Sequence, residues 1–142
     1  MFNLFSSGPK KKKVLIIDDD QDMLDSYLKY FSLQKDYDVV GVNSKSLFMK
    51  EIDSADVVVS DFHMHTVTGI TFERVLELCE EKKKPLLLLT GDIYPYFDFQ
   101  LSKPINVKTL RGEVEMMMVR GFVASKRLPP SIKNRTKTNK AS

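Results

Sequence analysis

The sequence predicts an α/β fold in which helices cover both faces of a parallel five-stranded sheet. Short apolar runs rich in Val and Ile, such as residues 14–17 and 57–59, are typical of strands buried on both faces. Segments with a helical spacing of apolar residues separate these runs, and this alternation favours right-handed crossovers between parallel strands. Carboxylates close two of the strands, at residues 18–20 and at Asp61. The carboxyl edge of such a sheet is where open α/β folds bind ligands.

The predicted elements alternate along the chain. Strands are predicted at residues 12–17, 37–42, 56–60, 86–89 and 98–102. Helices are predicted to begin near Asp22, at Asn43 or Ser44, near residue 70 and near residue 106, and the last two to end near residues 83 and 122. The first helix can be capped by Asp20 or Asp22, whose side chains accept hydrogen bonds from free backbone N–H groups.

Length and composition are those of one small domain. The chain has 142 residues, which we divide into a flexible basic arm at 1–11, a folded domain at 12–123 and a disordered basic tail at 124–142. The sequence contains no apolar run long enough to span a membrane and no signal-peptide pattern at its start. The single cysteine, Cys79, suits a reducing compartment. We therefore expect a cytoplasmic protein.

The charges of the chain are segregated. Residues 10–13 and 124–142 supply ten positive charges and no acid, which leaves twelve basic residues to balance all 19 acids. Residues 14–123 therefore carry a formal charge of −7, although the whole chain is at +3. The basic tail contains no aromatic residue that could stack on a base and no nucleic-acid-binding module. We expect no specific binding to nucleic acid.

Polar side chains stand at the ends of four predicted strands, where a parallel sheet would bring them to one edge. They are the acids at 18–20, Asp61, Thr90 followed by Asp92, and Lys103 followed by Pro104. Converging carboxylates repel one another unless a cation joins them, and Mg²⁺ suits a few carboxylates together with a phosphoryl group. The combination therefore points to phosphate chemistry, although each feature alone is a weak signal.

With these residues in this order, residues 12–122 resemble the receiver domain of bacterial two-component response regulators. That family has an acid pair after the first strand, a phosphoacceptor Asp after the third, a Thr or Ser after the fourth and Lys-Pro after the fifth. Met64 and Gly69 follow Asp61 at the family's spacing, whereas His65 replaces the family's Pro. The resemblance implies a flavodoxin-like (receiver) three-layer sandwich with strand order 2-1-3-4-5.

The resemblance also implies roles for the site residues. Asp61 would be the phosphoacceptor, and the Mg²⁺ ligands would be Asp18, Asp19, Asp61 and the backbone carbonyl of His63, with Asp18 acting mainly through water. The three consecutive acids leave the register open, so that Asp20 can replace Asp18 in the pair. Lys103 and Thr90 would bind phosphoryl oxygens, and Thr90 would move inward on phosphorylation.

Three further expectations concern residues around this set. His63 and Asp92 are candidates for tuning the lifetime of the phosphoryl group, although Asp92 can equally be a turn cap. A metal pair formed by His63 and His65 is a weaker hypothesis than two neutral loop histidines. The peptide bond before Pro104 is expected to be cis by resemblance.

The region between the fourth and fifth strands departs from the family. Only twelve residues separate Thr90 from Lys103, and a strand with two loops consumes most of them. The family's fourth helix is therefore predicted to be missing or vestigial. Gln100 stands where the family has its switch aromatic. We favour packing over the gap for the nearby aromatic residues, with an exposed dimer patch as the alternative: Tyr94, Tyr96, Phe97 and Phe99.

Three functions remain open from the sequence. The favoured one is a stand-alone receiver, a phosphoacceptor signalling protein rather than an enzyme, which would be phosphorylated by a sensor histidine kinase or phosphotransfer protein. It would signal to a downstream protein, as a monomer or a homodimer. The second is a pseudo-receiver that binds a partner without phospho-switching. The third is a haloacid-dehalogenase-like phosphatase with Asp18 as its nucleophile, a reading that leaves Asp61 without a role.

Overall fold

The computed structural model describes residues 11–64 and 69–124. Five parallel strands form one sheet in the order β2-β1-β3-β4-β5. The strands are β1 (Lys12–Ile17), β2 (Tyr37–Val42), β3 (Val57–Asp61), β4 (Leu86–Thr90) and β5 (Gln100–Ser102). This arrangement confirms the predicted fold class and strand order. Nearly all of the predicted arm, His65 and the tail from residue 125 lie outside the described residues.

Helices cover both faces of the sheet. They are α1 (Gln21–Ser32), α2 (Lys45–Glu51), which a 3₁₀ turn at Ile52–Ser54 extends, α3 (Phe72–Lys82) and α4 (Val107–Arg120). Asp20 is the N-cap of α1 and Ser44 the N-cap of α2, so the structure selects one of the two predicted residues in each case. Within the described residues, no helix is long and apolar enough to cross a membrane.

Several element boundaries differ from the predictions, and capping accounts for two of them. Helix α3 begins two residues later than predicted because the side chain of Thr71 accepts a hydrogen bond from the N–H of Arg74. Helix α4 ends at Arg120 because Gly121 adopts a φ of +77°, which a helix cannot continue. Strand β3 lies one residue further along the chain than predicted, and β5 is only three residues long.

Two hydrophobic clusters lie on opposite faces of the sheet. Alternate side chains of β1 divide between them: Val14 and Ile16 pack with α1 and α4, whereas Leu15 and Ile17 pack with α2 and α3. All four side chains are buried, as expected for a central strand of a parallel sheet. Because β1 ends at Ile17, the acids that follow it lie at the carboxyl edge of the sheet.

The linking segment (residues 91–99) joins β4 to β5 without a helix. This confirms that the family's fourth helix is missing. Phe97 fills part of the space, because its side chain is only 2% exposed and contacts the rings of Phe72 and Phe99. The favoured packing of the aromatic residues is thus confirmed for Phe97, whereas Tyr96 is 42% exposed.

Candidate functional site

Residues at the ends of three strands meet through one lysine. Asp18 follows β1, Asp61 ends β3 and Lys103 follows β5. The Lys103 ammonium lies 3.0 Å from Oδ1 of Asp61 and 3.5 Å from Oδ2 of Asp18. The sheet has β4 between β3 and β5, so the long lysine side chain spans this strand to reach the carboxylates. The predicted convergence of these three residues is therefore present.

Asp18 is the most deeply buried of the acids. It is 2% exposed, and its Oδ1 accepts a 2.9 Å hydrogen bond from the N–H of Asp20. Burial raises the pKa of Asp18 above its ordinary value, while the Asp20 N–H and the Lys103 ammonium act in the opposite direction. A negative charge at this position is therefore held at a cost, which the lysine reduces.

Lys103 remains a cation in this setting. Burial by itself would lower the pKa of Lys103, but the hydrogen bond to Asp61 and the charges of Asp18 and Asp61 outweigh that effect. The pKa is raised above its ordinary value of 10.5 as a result. The site consequently offers a positive charge beside the carboxylate of Asp61 at neutral pH.

Asp61 is anchored through one oxygen. Its Oδ1 accepts hydrogen bonds from the Lys103 ammonium and, at 2.8 Å, from the backbone N–H of Phe62. Within the described residues, Oδ2 receives no hydrogen bond. Two donors therefore orient the carboxylate from the side of Oδ1.

The three consecutive acids make different contacts. Asp20 uses its Oδ1 to cap α1 by accepting from the N–H groups of Asp22 and Met23. Asp18 contacts the lysine, as described above. Asp19 has a buried oxygen, Oδ1, that has no hydrogen-bond partner in the described part of the chain. The N-cap role of Asp20 favours Asp18 and Asp19 as the acid pair.

The acids fit a hard divalent cation by their chemistry. Carboxylate oxygens are ligands that Mg²⁺ prefers. The buried Oδ1 of Asp19 has no hydrogen-bond donor among the described residues, and a bound cation would compensate for this. Across the described residues, no three His, Cys, Asp or Glu side chains are already grouped to hold an ion. The His63 side chain is exposed, and His65 lies outside the described residues, so the histidine-pair hypothesis gains no support here.

Thr90 is buried at the end of β4 and is bonded to the start of the linking segment. Its Oγ1 donates to the carbonyl of Asp92 at 2.6 Å and accepts from the N–H of Asp92 at 3.2 Å. The backbone N–H of Lys103 donates to the carbonyl of Thr90 at 2.8 Å, and the Lys103–Pro104 peptide bond is cis, as the resemblance implies. Asp92 contacts Thr90 through its backbone, while the residue as a whole is exposed.

Sequence reasoning missed two features of this edge. The N–H of Phe62 orients Asp61, and no sequence signal identifies it because every residue but proline carries this donor. The Tyr27 hydroxyl is buried without a hydrogen-bond partner among the described residues. Burial raises the pKa of Tyr27, and the charge of Lys103 opposes this effect. In the sequence, Tyr27 occupies one apolar position of a helix, and this position does not indicate whether its hydroxyl is buried.

Comparisons with known proteins agree with this geometry. No protein-family model matches the chain. The transcriptional regulatory protein FlgR of Helicobacter pylori is 36% identical over 81 residues, which is 56% of this chain and 20% of that protein. The chain thus spans about a fifth of the length of that relative.

Solved receiver domains share the fold over most of the chain. A CheY-like response regulator receiver domain protein from Methanospirillum hungatei has a TM-score of 0.65 at 18% identity, covering 78% of this chain and 96% of that one. A receiver domain protein from Clostridium thermocellum gives 0.63 at 22% identity, with 77% and 95% covered. A response regulator from Burkholderia pseudomallei, solved with a phosphorylated aspartic acid, calcium ion and citrate, gives 0.62 at 19% identity, with 78% and 70% covered.

Proposed function

We propose that this chain, which has the fold of response-regulator receiver domains, accepts a phosphoryl group on Asp61 in a Mg²⁺-dependent reaction and signals by protein–protein contact. The donor would be a sensor histidine kinase or a phosphotransfer protein. The observation that carries the proposal is the ammonium of Lys103, held 3.0 Å from Asp61 and 3.5 Å from Asp18 across an intervening strand.

The transfer step follows from the orientation of Asp61. Its Oδ2 attacks the phosphorus of the donor, a bond forms between this oxygen and phosphorus, and the bond from phosphorus to the donor nitrogen breaks. The electron pair of that bond remains on the nitrogen, which takes up a proton from water. Before the donor arrives, Oδ1 is bonded to the N–H of Phe62 and to Lys103, and these two bonds position the nucleophile.

Charge neutralisation is the main contribution of the surrounding residues. Phosphoryl transfer depends chiefly on positioning and electrostatic stabilisation, because the transition state spreads negative charge over the phosphoryl oxygens. Lys103 can move its ammonium from Oδ1 of Asp61 to one of these oxygens over a short distance. Thr90 can donate its single hydroxyl hydrogen to another, provided that it releases the carbonyl of Asp92.

A divalent cation would be held by Asp19, Asp61 and the carbonyl of His63, with Asp18 acting mainly through water. When bound, Mg²⁺ would supply charge neutralisation for the phosphoryl oxygens and the acids together. His63 and Asp92 remain candidates for tuning how long the aspartyl phosphate lasts, since both are exposed beside the site.

Two alternatives fare differently against the geometry. The phosphatase reading requires Asp18 to be a nucleophile, but Asp18 is 2% exposed and both of its oxygens are engaged, by the N–H of Asp20 and by Lys103. The pseudo-receiver reading draws support from Gln100, which replaces the family's switch aromatic. Under the favoured proposal the protein is a cytoplasmic phosphoacceptor rather than an enzyme, with a downstream protein as its target.

Intact-mass measurement tests the proposal directly. The protein is incubated with Mg²⁺ and a small phosphodonor, and one added phosphoryl group is expected. Asp61→Asn should show none, whereas Asp22→Asn, which alters an exposed acid in the first turn of α1, should match the unaltered chain. An Asp61→Asn variant that still gains the group would refute Asp61 as the acceptor. A folded protein that gains no mass would favour the pseudo-receiver.

A further inference from the structure

Gln100 fastens the linking segment to β5 by three hydrogen bonds. Its Oε1 accepts from the N–H of Tyr94 at 2.8 Å, and its Nε2 donates to the carbonyls of Tyr94 at 2.7 Å and Phe97 at 2.6 Å. We call this set of bonds the Gln100 clamp. Both amide hydrogens and one lone pair are used, so only a side chain that both donates and accepts can make it. Neither an aromatic side chain nor Glu could replace Gln here.

The clamp also connects to the phosphoacceptor. It fixes the backbone of Tyr94, and the Tyr94 ring packs on the rings of Phe62 and Phe72 with centroids 4.8 and 5.7 Å apart. Phe62 in turn donates its backbone N–H to Oδ1 of Asp61. The middle of the linking segment is therefore held by hydrogen bonds on one side and by aromatic packing against the phosphoacceptor loop on the other.

The start of the linking segment is held differently. Between Thr90 and Tyr94, its described attachments are the two bonds between the Thr90 hydroxyl and the backbone of Asp92. A hydroxyl has one hydrogen, so Thr90 cannot donate to a phosphoryl oxygen and to the Asp92 carbonyl at once. Nothing lies within 4 Å of a Cβ built at Gly91, and Ile93 is 77% exposed. This part of the segment has room to move, and its attachment competes with the phosphoryl group.

We propose that the Gln100 clamp divides the linking segment into a switching part, residues 91–93, and a fixed part, residues 94–97. Phosphorylation of Asp61 would draw Thr90 away from Asp92 and release the switching part, while the clamp keeps Tyr94 in place. The signal would be displayed by Asp92 and the exposed side chain of Ile93. The inference rests on the proposed function, and it assigns the readout to a short loop instead of an aromatic side chain in β5.

Hydrogen–deuterium exchange at single backbone amides, followed by NMR on the full chain, separates the two parts. On phosphorylation, confirmed by mass in the same sample, exchange at the Asp92 amide should rise about fivefold, as expected for loss of one hydrogen bond, while that at Tyr94 stays unchanged. An equal rise at both amides would overturn the division. So would an unchanged Asp92 amide in a sample shown to be phosphorylated.

Two variants test the division without phosphorylation. Thr90→Val keeps the shape of the side chain and removes both bonds to Asp92, so exchange should rise at Asp92 alone. Gln100→Met keeps the length of the side chain and removes the clamp, so exchange should rise at Tyr94 by a similar factor. A Gln100→Met variant with an unchanged Tyr94 amide would refute the clamp. If no phosphoryl group is gained while both variants behave as described, the proposed function fails and the clamp itself stands.

Discussion

The carboxyl edge of the sheet contains two regions that follow different rules. The proposed phosphoacceptor region consists of Asp18, Asp61 and Lys103, which lie at the ends of three strands. The linking segment beside it has no helix and is held by contacts made by Gln100 and by aromatic rings. The difference shows that the contacts at the strand ends are kept in this chain although the helix of the neighbouring segment is missing.

The largest effect on stability is expected from the linking segment. Phe97→Ala should lower the free energy of unfolding by about 3–4 kcal/mol, because it leaves a cavity beside Phe72 and Phe99 at a site that is 2% exposed. Tyr96→Ala is the matched control, since Tyr96 is 42% exposed, and its effect should stay within about 0.5 kcal/mol. Chemical denaturation measures both. Similar small losses would mean that this region is not packed as a core.

A smaller effect is expected from the lysine of the phosphoacceptor region. Lys103→Met should cost about 1–2 kcal/mol, because two carboxylates lose their neutralising charge while 26% of the lysine side chain is exposed and screened by water. The raised pKa of Lys103 means that its contribution is complete below the ordinary value of 10.5 and is lost as the pH rises through the folded-state value.

Thermal melts of the Lys103→Met variant in EDTA and in Mg²⁺ sharpen this prediction. A divalent cation replaces part of the missing charge, so Mg²⁺ should raise the melting temperature of the variant more than that of the unaltered chain. Equal shifts in the two proteins would show that the cation does not replace the missing charge of Lys103.

The smallest expected effect is an increase in the free energy of unfolding. Asp18→Asn should stabilise the protein at pH 7 by up to about 1 kcal/mol, because burial disfavours the charged form of Asp18. Because the folded-state pKa of Asp18 is raised, the stability that Asp18 contributes is complete below its ordinary pKa of 3.8. That stability is lost as the pH rises through the folded-state pKa. The advantage of the variant should therefore grow between acid and neutral pH. A variant that melts lower at pH 7 would show that the Lys103 contact outweighs burial.

The sequence predicts the phosphoacceptor region well because each residue is tied to the end of a regular element. Hydrophobic periodicity locates β1 and β3 within a residue, and the acids follow at a fixed distance. It could not separate Asp18 from Asp20, since that choice depends on which carboxylate caps α1. The contacts of Gln100 were also beyond prediction, because they depend on the path of a loop that has no period.

The short length of β5 limits which changes in its sequence the site can tolerate. Gln100 opens this three-residue strand and Lys103 follows its end, so the clamp and the lysine are separated by a fixed count of residues. Side chains alternate between the faces of a strand, and a single deletion within β5 would turn the lysine away from the acids. By contrast, a Cβ built at Gly91 has no neighbour within 4 Å. We therefore expect a side chain at Gly91 to be accepted more readily than a change in the length of β5.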